Sequence, residues 1–556
     1  MPGIARLLTL LLACASAASA QPVPAGSPRI PMDAAGLRAH MTFLADDLME
    51  GREAGTRADG LTQAYIASRF SAIGLEPAGD KGSFLQRFRV RAARLDPGSV
   101  DFRISGTSGE QRFLNGETVA VYADMLEPDQ RIELAPLVFA GYGIVAPERR
   151  IDDYRGLDVR GKVVVVLGGP PAFLPAAEAA HYGSSEQQRL TAEAQGAIGV
   201  IQLWTPALEQ RFAFEGLRPL LGQTALGWLG PDGRPNVSAP GVRLRAFARG
   251  AAADKLLHGG AGTMAQLLLE ARSRSPRGFA LPGRVSLSRR SNHDDRLASA
   301  NVAGLLRGSD PVLSGEMVVL TAHHDHVGIG AAVAGDAIYN GALDNAVGVA
   351  MLIEVARVMA ATGQRPRRSV LFLAVGAEEK GLIGSDYFAA HPTVPPSSLV
   401  ANINLDGAFP FYDFSDVIAF GAEQSQMGEM LAAAAAEIGL KVAADPFPEE
   451  GIFTRSDQYS FVKQGVPSLF LYNGFTDMDG RSVGRAVWDD LGTRIVHQPG
   501  DDLTQPIDYQ VVAKFADLFR RMALVTANAP ERPLWYRDSL FAGRFAPGKP
   551  TARRRP

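Results

Sequence analysis

Residues 321–328, "TAHHDHVG", place three of the chain's nine histidines in four positions, with Asp325 between the second and third. The apolar run "GEMVVL" before them reads as a buried strand, so the cluster falls where a strand gives way to a loop. In open α/β sheets ligands bind at that place. Taken alone, the run fits two descriptions: a polar loop of hydrogen-bonded histidines, or part of a metal site. Further along come Asp344 in "YNGALDNAVG", Glu378 and Glu379 in "GAEEKGLIGS", Asp406 in "NINLDG" and His497 in "IVHQPGDDL". Each sits beside an expected strand end or helix start, so a mostly parallel sheet would gather them along one edge. Zinc takes imidazole nitrogen and carboxylate oxygen, and catalytic zinc keeps one position open. Two His, two Asp and one Glu suffice for two ions about 3.5–4 Å apart if one carboxylate bridges them, leaving one more carboxylate as a general base. A single strand-end Asp is more often a helix cap or turn former than a ligand. The ordered set carries the metal reading.

The elements that must position these groups are legible as alternating patterns. From about 298 to 526, "EMVVLTA", "RSVLFLAV", "SLVANINLD" and "SLFLYN" read as strands. They are separated by the helical stretches "GVAMLIEVARVMAAT", "QMGEMLAAAAAEIGL" and "YQVVAKFADLFRRMALVTA", the first an amphipathic helix directly after Asp344. The fold class is therefore α/β, a mixed and mostly parallel sheet sandwiched by helices. At the front, "AAGLRAHMTFLADDL" and "DGLTQAYIASRFSAIGL" read as helices joined by the glycine-rich, charged "MEGREAGTRA". Between 130 and 275 the texture changes to short strands punctuated by Gly and Pro, which predicts an inserted β-rich module. Its histidines, His181 and His258, are isolated. This divides the chain into 31–129 and 276–530, the two parts of one catalytic domain, the insertion at 130–275, and a tail at 531–556. The end of that tail, "FAPGKPTARRRP", is Pro-rich and basic and is expected to be disordered.

At 556 residues, 46% hydrophobic and 21% charged, the chain can bury large cores. A formal net charge of −3 without long blocks of like charge gives no electrostatic footprint for nucleic acid. No stretch beyond the N-terminus is long and apolar enough to span a bilayer. The first twenty residues have one positive charge at Arg6, an apolar run from Leu7 to Ala13 and small residues ending at Ala20. That is the layout of an export signal, residues 1–20, cleaved before Gln21. Cys14, the single cysteine, also allows a lipoprotein anchor. Removal of the signal would leave no cysteine for a disulfide.

The series "AHHDHVG", "YNGALDNAVG", "GAEEKGLIGS", "INLDG" and "VHQPGDD" resembles the zinc aminopeptidase family of bacterial secreted leucyl aminopeptidases. Relatives of that family include glutamate carboxypeptidase and, without activity, the transferrin receptor ectodomain. "FLADDLMEGREAGT" and "FSAIGLEPAGD" resemble the family's N-terminal helices, and 130–275 its inserted protease-associated domain. The resemblance implies two Zn2+ ions, one on His323 and Asp406, the other on Glu379 and His497, with Asp344 bridging both. It implies Glu378 as general base and Asp325 as the carboxylate that orients the His323 imidazole. His324 and His326 would not be ligands. The bond Asp344–Asn345 would be cis. The implied activity is removal of N-terminal residues from a peptide substrate. Glutamate-carboxypeptidase-like or dipeptidase action is the alternative, and a glutaminyl cyclase or a dead binding module stands further off.

Two positions depart from the family pattern. Val496 stands where relatives carry a tyrosine whose hydroxyl can face an oxyanion, and Gln458 where a histidine is frequent. Ser456 and Gly465 read as the N-cap and the terminator of the helix between them.

Overall fold

The computed structural model describes residues 30–363 and 365–554. The expected export signal, Cys14 and most of the Pro-rich spacer lie outside the described residues. Among the described residues no helix is long and apolar enough to cross a membrane.

Four parallel strands form the centre of the main sheet, in the spatial order Ser369–Val375, Met317–His323, Leu399–Leu405 and Ser468–Asn473. Ala298–Leu306 pairs antiparallel on one flank, followed by the first half of Leu85–Leu95. On the other flank Asp416–Phe420 pairs antiparallel and carries Lys441–Ala443. The α/β expectation of a mixed, mostly parallel sheet is borne out. Both faces of the sheet are buried, and the strand residues show it by alternation. Val318, Leu320, Ala322, Val370, Phe372 and Ala374 point to one core; Met317, Val319, Leu371, Leu373 and Val375 point to the other. Full burial of the Val, Leu, Met and Phe side chains among them contributes roughly 1.5–3 kcal/mol each.

The first core is capped by helices Ala34–Leu44, Arg57–Ile73, Met427–Ala436 and Tyr509–Asn528 around Val347–Ala361. The helix after Asp344 was expected to be amphipathic. Instead, every residue from Val347 to Ala356 is buried, because the sheet and three of these helices, Ala34–Leu44, Arg57–Ile73 and Tyr509–Asn528, pack directly against it. Ile383–Ala390 and Gln458–Lys463 cover the opposite face through Phe388 and Phe461.

Connectivity fixes where ligands can meet. From Met317–His323 the chain crosses by Val347–Ala361 to Ser369–Val375 on one side, then by Ile383–Ala390 to Leu399–Leu405 on the other. The two crossovers diverge at the C-terminal end of the His323 strand. This is a topological switch point, where an open α/β sheet leaves a crevice.

A second sheet is built on the parallel strands Asp129–Phe139, Val163–Leu167, Gly199–Leu203 and Leu244–Ala248. It reaches beyond residues 130–275, since Asp101–Gly106, Gly109–Phe113, Val119–Val121 and Phe279–Asp294 all pair into it. Leu85–Leu95 belongs to both regions, pairing with Ala298–Val302 at its start and with Ser291–Asp294 at its end. His181, an isolated histidine in the sequence, lies at the contact between the second sheet's helices and the main domain. Its Nδ1 is 2.6 Å from the Tyr459 hydroxyl.

The tail corrects the expectation of disorder. Trp535 and Phe541 are buried, and Trp535 Nε1 donates to the Gly465 carbonyl at 3.1 Å. Tyr536 bridges to Ala552, and Arg554 Nε reaches Asp538 at 2.8 Å. The basic, Pro-rich segment is therefore held, as far as Arg554, to the aromatic stretch just before it. Phe541 in turn packs against His181 and Phe453.

Candidate metal centre

Each chemical group is delivered by a strand end or by the turn that follows one. His323 closes the central strand, Asp406 follows Leu405 on its neighbour, and Glu378 and Glu379 follow Val375 on the other neighbour after the turn Gly376–Ala377. Asp344 sits in the irregular turn Ala342–Ala346, ahead of the central helix, and its bond to Asn345 is cis. His497 arrives from the loop after Leu491–Ile495 with a left-handed φ of 55°, and Ala377 has a φ of 59°. Such backbone costs of order 1–3 kcal/mol at a non-glycine residue and persists only where the surroundings hold it.

The side chains converge. His323 Nε2 lies 3.0 Å from Asp406 Oδ1 and 3.1 Å from Asp344 Oδ1. His497 Nε2 lies 2.9 Å from Glu379 Oε2 and 3.2 Å from Asp344 Oδ2. The two oxygens of Asp344 thus serve two different imidazole–carboxylate sets. Donor atoms of His323, Asp344 and Asp406 fall within 4.8 Å of one another, as do those of His323, Glu378 and Glu379, and those of His326, Asp344, Glu379 and His497. Among the described residues these are the only such groups.

The electrostatics call for positive charge. Burial opposes protonation of His323, yet Asp406 and Asp344 carry its pKa well above the ordinary histidine value. Burial likewise opposes His497, and Glu379 with Asp344 raises it well above its ordinary value. The imidazoles are thus drawn toward the cationic form by carboxylates that a divalent ion would satisfy more fully, and the donor set is the oxygen and nitrogen mixture that zinc takes. Glu378 is pushed well above the usual carboxylate range by burial, with Asp406, Asp457 and Glu379 adding to the rise. The direction is the one in which a glutamate general base is tuned.

Sequence reasoning identified the converging groups, but some contacts differ from the expectation. The Asp325 carboxylate accepts from the Glu378 and Glu379 amides at 3.0 and 3.3 Å. The atom facing His323 Nδ1, at 3.2 Å, is the Asp325 main-chain oxygen. Asp325 therefore sets the glutamate turn with its side chain and the imidazole with its backbone. His324 lies off the cluster, with Nε2 3.1 Å from the Ala300 carbonyl. Ser456 does not cap its helix; its hydroxyl donates to Asp406 Oδ2 at 2.6 Å, and Asn404 ties Ser456 to Gln458. Gly465 does end the helix, with a φ of 74°. Val496 brings no hydroxyl. Tyr472 follows Leu471, the strand partner of Leu405, which itself precedes Asp406.

Three residues outside the expected set hold the turns that carry these groups together. Asp501 accepts from the Leu343 and Asp344 amides at 2.7 and 2.9 Å. Asn345 donates to Leu405 O and accepts from the Gly407 amide, joining the Asp344 turn to the Asp406 turn. Arg52, 1% exposed, donates to the carbonyls of His324, Leu44, Asn340 and Gly341. Asp501 stood in the quoted "VHQPGDD" and Arg52 in "MEGREAGTRA". A charged residue set among turn-forming residues was the available signal.

Fold and cluster describe an α/β protein whose mostly parallel sheet gathers imidazoles and carboxylates at one edge. Residues 301–523, the segment holding every group of the cluster, match the model of Peptidase family M28, and this match bears out the resemblance read from the motifs. An aminopeptidase from Aneurinibacillus sp. strain AM-1 has a similar structure, at a TM-score of 0.50 and 20% identity over 90% of this chain and 95% of that one. At this identity the similarity is one of fold. A zinc aminopeptidase from Bacillus subtilis aligns over 89% of this chain and 95% of its own, at a TM-score of 0.42 and 19% identity. Aminopeptidase NAALADL1 of Rattus norvegicus is 35% identical over 94 residues, 16% of this chain and 11% of that protein. The match thus spans about a tenth of that curated relative's length.

Proposed function

We propose that the protein is an exported metallo-aminopeptidase that uses two zinc ions to hydrolyse the N-terminal peptide bond of its substrates. The observation that carries this is the division of Asp344, with Oδ1 toward His323 and Asp406 and Oδ2 toward His497 and Glu379. The family match and the aminopeptidase relatives support the reaction class. The export-type N-terminus, with Ala18-Ser19-Ala20 as its cleavage motif, supports the location.

His323 and Asp406 would hold one ion, Glu379 and His497 the other, and Asp344 both. Bound there, two divalent ions would supply Lewis acidity toward the peptide carbonyl and lower the pKa of the attacking water. The rest falls to side chains. Glu378, its pKa already raised, takes the proton of the attacking water and delivers it to the departing amine nitrogen. Asp325 fixes the base by binding the amides of Glu378 and Glu379. His497, with a side chain 52% exposed, marks the open side through which the peptide enters.

The test compares one peptide in free and N-acetylated forms. Stepwise loss of N-terminal residues from the free peptide alone is the expected result. Release of the C-terminal residue from the acetylated peptide would replace this reading with the carboxypeptidase one, and failure to cleave either by metal-loaded protein would replace it with a binding module.

A further inference from the structure

The third histidine of "HHDH" has a place in the centre that its position in the sequence does not disclose. His326 is fully buried, and its Nδ1 lies 2.7 Å from Glu379 Oε1, while His497 Nε2 takes the other oxygen, Oε2. The ring is held in position. A Cβ on Gly341 would come within 2.5 Å of His326 Cγ, the His326 amide faces the Arg52 carbonyl, and Glu53 forms a bridge with His326.

Two roles are open to this nitrogen. Nδ1 also lies 3.9 Å from Asp344 Oδ2, close enough for His326 to join Asp344, Glu379 and His497 as a fourth ligand. Its other ring nitrogen decides between the two. A ligating histidine donates its second N–H to a carbonyl, carboxylate or water. His323 has such a partner in the Asp325 carbonyl. Among the described residues, none offers a hydrogen-bond partner to the buried His326 Nε2. If Nδ1 were a ligand, Nε2 would carry the proton as a buried, unsatisfied donor. If Nδ1 carries the proton and donates it to Glu379, only an acceptor lone pair is left over, the milder of the two defects. Four protein ligands would also close the coordination shell that a catalytic ion keeps open.

We infer that His326 is a positioning residue: its Nδ1–H donates to Glu379 Oε1 and aims Oε2 at the ion shared with His497 and Asp344. This deepens the two-ion reading above and rests on it.

The test titrates bound zinc in the full-length protein against graded free zinc in a chelator buffer. Outer partners of metal ligands are commonly worth 10–100-fold in metal affinity. His326→Ala should therefore weaken one of the two ions by about that factor and leave the other unchanged. His326→Asn, whose amide can donate from nearly the Nδ1 position, should restore most of the loss. His326→Phe keeps the ring without the donor and replaces the alanine variant should that one not fold. A purely structural role would lower the unfolding temperature of the metal-free protein and weaken both ions together; a ligand role would leave Asn as weak as Ala. Either result overturns the inference, as does wild-type affinity in both His326→Ala and His326→Phe. A wild-type protein that binds fewer than two ions would instead sink the two-ion reading itself.

Discussion

Glu378→Gln is expected to keep both zinc ions while kcat falls by roughly 10²–10⁴-fold, and Glu379→Ala is expected to lose activity together with an ion. The two glutamates are neighbours in the chain but not in chemistry. Glu379 is pinned through both oxygens, by His326 at 2.7 Å and His497 at 2.9 Å, and its pKa is held down to about 2. Burial alone would raise Glu379, and the imidazoles overcome it. A group fixed in this way would, on the proposed reading, hold its ion in every state of the enzyme. Glu378 is raised by the same burial and by the carboxylates of Asp406, Asp457 and Glu379. Its amide is anchored on Asp325. On the proposed reading it takes and releases a proton while Glu379 stays in place. Metal analysis beside single-turnover kinetics on both variants checks the assignment; loss of an ion from Glu378→Gln with both retained in Glu379→Ala would reverse the roles.

Arg52→Met is expected to destabilise the protein by more than about 3 kcal/mol and to reduce zinc content at sites the arginine never touches. Its guanidinium binds four main-chain carbonyls, two of them in the run ahead of Asp344 and one at His324. Each buried acceptor left without a donor costs about 1–3 kcal/mol. Burial lowers the arginine's pKa to about 10, opposed by Asp501, Asp325, Asp344 and Glu379. Its charge thus also offsets the carboxylates of the centre. Denaturant unfolding and metal analysis of the same variant test this. Wild-type stability would show that the four carbonyls find other donors.

These two cases mark how far the sequence could be read. The ligand candidates were legible because each stands at the end of an apolar strand or the start of a helix, where a local pattern names the place. The parallel sheet then brings His323, Asp406 and the glutamates to one edge. Arg52 was not legible as a support, because carbonyls carry no side-chain signature and two of its partners lie 288 and 289 residues away. His326 and His324 looked alike beside Asp325, and only the fold sends one to Glu379 and the other to the Ala300 carbonyl. Ser456 read as a cap because Ser before a helix commonly caps. What competes for its hydroxyl is Asp406, 50 residues earlier in the chain. The tail misled by composition: Pro and Arg argue for disorder, while the aromatic residues just before them, Trp535 and Phe541, supply the burial that orders it.

Stepwise reconstitution decides whether Asp344 organises a two-ion centre. Protein stripped with a chelator is titrated with zinc while bound metal and cleavage of a free-N-terminal peptide are followed together. Two equivalents should bind in wild type, with activity rising to its plateau by the second, and Asp344→Ala should weaken both. Saturation at one equivalent with full activity, or loss of only one ion from Asp344→Ala, would rule out a two-ion centre bridged by Asp344.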